Sequence, residues 1–169
     1  MGTKRVGHSR IQKLINDNKK ELYHRHPGYI KLTASKELAA SDSGKHILFG
    51  PLAGGLAGDA TLTLPSAADG LHFRLEYVGG AADAHDLEIT TGSNTNFFIG
   101  GLVHFDTDTD DTNGIPDVLH PNLSSNSKVT MLTPDSGTYV ELTCDGTNWF
   151  INGQVMSATN TAIVFADQS

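Results

Sequence analysis

The chain has 169 residues, of which 18% are charged, 38% hydrophobic and 18 are glycine; it is long enough for one domain with a real core plus an appendage. A single cysteine, Cys144, excludes an internal disulfide and a CxxC metal pair, so packing alone must hold the fold. No apolar run approaches the roughly 18 residues that cross a bilayer, and the N-terminus is too basic and polar for a signal peptide, so the expectation is a soluble protein made in the cytoplasm.

The net charge of −7 hides a division. Residues 1–36 carry nine Lys/Arg against Asp17 and Glu21, a net of +7; residues 37–169 carry Lys45, Arg74 and Lys128 against seventeen carboxylates, a net of −14. Such a split implies that the two parts face different partners.

Taken in chain order, the first element is a helix. Ser9 followed three residues later by Gln12 matches a capping box, and Ile11, Leu14, Ile15 and Leu22 fall on one helical face. Pro27-Gly28 should end it. The stripe is narrow, and Arg10, Lys13, Lys19 and Lys20 occupy the flanks. A helix of about fifteen residues is marginal alone in water, so it needs a surface to lie against.

From Tyr29 onward, short apolar runs alternate with turn residues, the pattern of an all-β body. Ten strands are predicted, at 29–32, 45–49, 60–64, 72–78, 87–91, 98–105, 128–132, 138–144, 148–152 and 162–165. Asp145-Gly146 should form a tight hairpin and Asn152-Gly153 the next corner. Trp149 should fill the core beside that hairpin, and Cys144 should pack as a small hydrophobe. The expected fold is therefore all-β: an antiparallel, jelly-roll-like sandwich or barrel over 29–169, with a basic amphipathic helical arm over 1–28.

Motifs for chemistry are sparse. The loop at 50–60 fails the spacing of a dinucleotide cradle and lacks the P-loop lysine. The acidic loop places Asp106, Asp108, Asp110 and Asp117 at calcium-loop positions 1, 3, 5 and 12. Its sixth position is Asp111 where glycine is wanted, and its twelfth is Asp rather than Glu. A solvated loop is preferred and calcium is left open. His24 and His26 suit a helix C-terminus, while His72, His85, His104 and His120 are scattered with no nucleophile beside them. No catalytic constellation emerges, so no enzyme, cofactor or metal centre is expected. Nucleic acid is disfavoured, because aromatics do not interleave with the basic residues and the body would repel phosphate. Membrane attachment is disfavoured for want of Trp and Phe anchors.

Burying four aliphatic side chains of the helix contributes about 6 to 12 kcal/mol gross, against about 4 to 15 kcal/mol for association and ordering. One helix would bind weakly, but several on one oligomeric body gain roughly 10² to 10⁴ by avidity.

The stretches "SGKHILFG", "ATLTLPSAADGLHFRLEYVGG", "SKVTMLTPDSGTYVELTCDGTNWFING" and the terminal "VFADQS" resemble the decoration, or cement, proteins on the heads of tailed bacteriophages, over about residues 29–169. The preceding helix resembles the capsid-binding arm of such proteins. The resemblance implies a homotrimer on the outer capsid surface of the virion, clamping neighbouring major capsid subunits, without catalysis or cofactor. Arg10, Ile11, Lys13, Leu14, Ile15, Lys19, Lys20 and Leu22 are the expected capsid-binding residues. The "TLTLP" strand and the "DGTNWF" hairpin also look like modules of phage tail fibres, so the second reading is a fibre module that binds a host receptor or glycan. A third, an enzyme on host polysaccharide, requires a carboxylate pair that one sequence does not reveal.

Overall fold

The computed structural model describes residues 7–23, 28–51, 54–80, 84–108 and 116–168, and for 8 and 17–23 the backbone only. Helix α1 spans His8–Tyr23. The Gly7 carbonyl accepts the N–H groups of Arg10 at 2.9 Å and Ile11 at 3.3 Å, so the helix opens ahead of the predicted cap and Ser9 lies in its first turn. The predicted stop at Pro27 lies outside the described residues.

The body is two sheets packed face to face. From its start the chain alternates between them: β1 (Tyr29–Leu32), β3 (His46–Phe49) and β5 (Asp69–Tyr77) go to the large sheet, while β2 (Lys36–Glu37), β4 (Ala60–Thr63) and β6 (Leu87–Thr90) go to the small one. The large sheet then gains β7 (Phe98–Gly100), β8 (Leu102–Asp106), β9 (Asp117–Leu119), β11 (Tyr139–Asp145) and β12 (Trp149–Ser157), and the small sheet gains β10 (Lys128–Met131) and β13 (Ile163–Ala166). The large sheet runs β1-β3-β5-β11-β12-β8-β9 with β7 also on β12, and the small sheet runs β13-β10-β6-β4-β2.

This order corrects the antiparallel expectation. Pairs β1/β3, β3/β5, β2/β4, β4/β6, β12/β7 and β12/β8 are parallel. For the four pairs among β1 to β6 the cause is the winding: a chain that crosses to the other sheet after each strand returns in the same direction, one strand further along. A jelly roll is made of antiparallel Greek keys, and the six parallel pairs are where this body departs from that pattern.

All ten predicted strands are present, the first with its predicted bounds and the others with shifted ends. The run read as one strand at 98–105 is interrupted at Gly101, yet both halves pair with β12 in one register, Phe98 with Trp149 and Val103 with Gln154. Asn152-Gly153 is no corner, because β12 runs through it to Ser157. Gly153 sits at φ 147° opposite Val140, where a Cβ would collide with the Tyr139 carbonyl oxygen. Close backbone approach, rather than chain reversal, is what requires glycine there.

The core joins both sheets through the fully buried Phe49, Phe73, Tyr77, Leu62, Leu87, Ile89, Met131 and Trp149. Trp149 sits in register between Cys144 and Phe98, with the Phe73 ring 5.9 Å away. Phe98 meets Phe165 edge to face at 6.5 Å. This aromatic row ties the β11–β12 hairpin to the small sheet, and Cys144 is buried in it as a small hydrophobe.

The hairpin turn follows its sequence signal. Gly146 takes φ 91°, and the Asp145 carboxylate accepts the N–H of Asn148 at 2.8 Å and of Thr147 at 2.9 Å. Those bonds, the Asn148 one foremost, hold the Asp145 carboxyl below its ordinary pKa. A carboxylate depressed in the folded state stabilises it above the unfolded pKa of about 3.9, and that contribution is lost as pH falls through the lower folded value. Asp145→Ala should therefore melt below wild type by a constant margin above about pH 5, with the margin shrinking toward pH 2. Thermal unfolding across that range checks it, and a margin that grows on acidification contradicts it.

Candidate functional site

The predicted binding residues lie on α1. Ile11, Leu14 and Ile15 are 46%, 56% and 47% exposed, and Arg10 and Lys13 beside them are exposed as well. One helical face thus presents three aliphatic side chains flanked by two cations. Lys19, Lys20 and Leu22 belong to the same helix, with side chains outside the described residues. Among the described residues, the buried core cluster draws on residues 38–163 and takes nothing from the helix.

The body presents the opposite charge. Three of its cations are matched to carboxylates: Lys45 to Asp42 at 2.7 Å, Arg74 to Glu141 at 2.7 Å and Lys128 to Glu88 at 3.3 Å. Lys45 and the Ala39 N–H hold the Asp42 carboxyl below its ordinary pKa. With these three cations locally neutralised, the remaining carboxylates dominate the field of the body. Sequence inspection missed a polar network on the outer face of the large sheet, where His46 lies 3.0 Å from Glu76 and Arg74 stacks 4.9 Å over the Tyr139 ring. Its bonded pairs are up to 67 residues apart, and only the strand order brings them together. The rarity of cations in the body was the available signal, since an isolated arginine among carboxylates finds a partner.

Of the acidic loop, the two ends are described. Asp106 ends β8 and Asp117 begins β9, and the Asp106 carboxylate accepts the Asp108 N–H at 2.8 Å. Asp110 and Asp111 lie outside the described residues. Among the described residues, no group of three His, Cys, Asp or Glu is placed to hold a metal ion. His104 is buried with Nε2 3.2 Å from the Ser157 carbonyl oxygen, and His85 Nδ1 is 3.5 Å from Asp59. His24 and His26 lie outside the described residues.

Among the described residues, the body carries hollows at two places. One of about 330 Å³ lies by β1 and β3 around Leu48, Pro51 and Val78, with Lys31 at its side. The other, of about 370 Å³, lies between β9 and β13. Neither lining includes a carboxylate, so the acid–base pair a glycosidase needs is in neither. Among the described residues no helix is long and apolar enough to cross a membrane.

The class defined by these features is a two-sheet β protein of mixed strand direction with one basic N-terminal helix. No protein-family model matches the chain, and no curated protein or solved structure matches it either.

Proposed function

We propose that this chain is a structural virion protein, a capsid decoration protein that seats on the outer surface of a tailed-phage capsid as a homotrimer and stabilises contacts between major capsid subunits. In this reading α1 is the arm. Ile11, Leu14, Ile15 and Leu22 enter an apolar groove on the shell, and Arg10, Lys13, Lys19 and Lys20 meet carboxylates around it. The observation that carries the proposal is the exposed aliphatic stripe of α1, with Leu14 at 56%, because an amphipathic helix draws most of its stability from packing its apolar face. The charge division supports it: the acidic body repels acidic surfaces, so attachment to an acidic lattice falls to the cationic segment.

Substituting glutamine at Ile11, Leu14 and Ile15 together keeps helix propensity while removing the apolar face. Mixed with undecorated capsids and co-sedimented, this variant is expected to stay in the supernatant while wild type pellets with the shells. Pelleting at the wild-type level overturns the proposal.

A further inference from the structure

We infer that the open end of the sandwich, between β9 and β13, is the seam at which copies of this chain join. β9 is the last strand of the large sheet and β13 the last of the small one, and the groove between them is lined by Val118, Leu119, Ile163 and Phe165. Val118 in that lining is 63% exposed, and Leu123, next in the chain to the lining residue Asn122, is 57% exposed. Outward-facing edge strands offer unpaired backbone donors and acceptors to a neighbouring chain.

Leu123 is held out deliberately. It occupies the left-handed region at φ 66°, which a leucine rarely adopts. The loop around it is locked from within, the Asn122 side-chain oxygen accepting the N–H groups of Ser124 at 3.1 Å, Ser125 at 3.0 Å and Asn126 at 3.3 Å. The Asn122 N–H in turn donates to the Asn126 side-chain oxygen at 2.6 Å. A rigid apolar knob therefore stands next to an apolar groove at one end of the body, so the knob of one copy can enter the groove of the next, the head-to-tail contact that closes identical subunits into a ring.

Charge selects the occupant. The groove lining contains no Asp, Glu, Lys or Arg, so it offers nothing to Arg10 or Lys13, and α1 is not its ligand. Residues 37–169 carry −14, and two such bodies repel except where they meet through an uncharged surface. The groove lining supplies one, so a second copy fits where a partner chosen by charge does not. The number of copies rests on the trimer proposed above; the position of the seam does not.

The test is the mass of the full-length protein by sedimentation equilibrium at micromolar concentration. Wild type is expected at three times the 18.0 kDa of one chain. The variant Leu123→Asn with Val118→Lys should fall to the mass of one chain. Asparagine tolerates the left-handed conformation and lysine is at home on an edge strand, so its circular dichroism and cooperative melting should stay native. Tyr29→Lys, at the opposite edge of the large sheet, should leave the mass unchanged. A two-chain wild type that the seam variant splits supports the seam and corrects the trimer. A single-chain wild type, a seam variant that keeps its mass, or dissociation by Tyr29→Lys overturns the inference. Capsid binding by α1 is read separately by co-sedimentation, so failure of the seam and failure of the arm are distinguishable.

Discussion

Trp149→Ala is expected to destabilise the protein by about 3 to 5 kcal/mol, within the range for emptying a buried aromatic site. In a chain of this length that lowers Tm by on the order of 10 °C. The reason is location: Trp149 is fully buried, lies in register with Cys144 on one side and Phe98 on the other, and faces the Phe73 ring. Its loss opens a cavity where the hairpin meets the small sheet, and the surrounding strands, fixed by their ladders, can collapse only partly. Trp149→Phe should be much milder, below about 1.5 kcal/mol. The indole Nε1 is buried without a hydrogen-bond partner among the described residues, so phenylalanine removes an unsatisfied donor along with some volume. Denaturant unfolding with an unchanged m-value checks both. Equal losses for Ala and Phe would mean that the ring's bulk is not what the core needs.

Loss of capsid binding by the glutamine triple variant is the larger effect in function. Each aliphatic side chain buried at an interface contributes about 1.5 to 3 kcal/mol, and each 1.4 kcal/mol is tenfold in affinity. Removing three should weaken one arm by roughly a thousandfold or more, and the proposed trimer would lose that factor in every arm. Neutralising Arg10 and Lys13 should do less, about 1 kcal/mol or below each, because exposed pairs are screened by water and salt. The two contributions separate by ionic strength. Raising salt toward 1 M, where the Debye length falls to about 3 Å, should remove the charge effect and leave most of the apolar one.

Strand positions were legible because alternation at Phe73, Leu75 and Tyr77, or at Val140, Leu142 and Cys144, marks a buried face whatever the strand beside it does. Direction was not, because a parallel strand alternates just as an antiparallel one does. The crossing of the chain from sheet to sheet at 33–35 and 50–59 is written in no local pattern. β2 and β9 escaped notice because two or three residues carry no period. Asp145-Gly146 and Asn152-Gly153 look alike as dipeptides; the first turns the chain and the second runs straight, since the Tyr139 carbonyl pressing on Gly153 comes from a neighbouring strand. Of the candidate site, the helix and its exposed aliphatic face were legible at Ile11, Leu14 and Ile15. The groove between β9 and β13 was not, because Val118 and Phe165 are brought together only by the order of strands in both sheets.

The most direct measurement is the number of bound copies per capsid for the full chain and for a chain lacking residues 1–28, counted on the same purified shells. The buried core is drawn from residues beyond the truncation, so the shortened chain should keep its melting behaviour and its oligomeric mass. The account predicts high occupancy for the full chain and background for the shortened one. Equal occupancy would place attachment in the β body and contradict it.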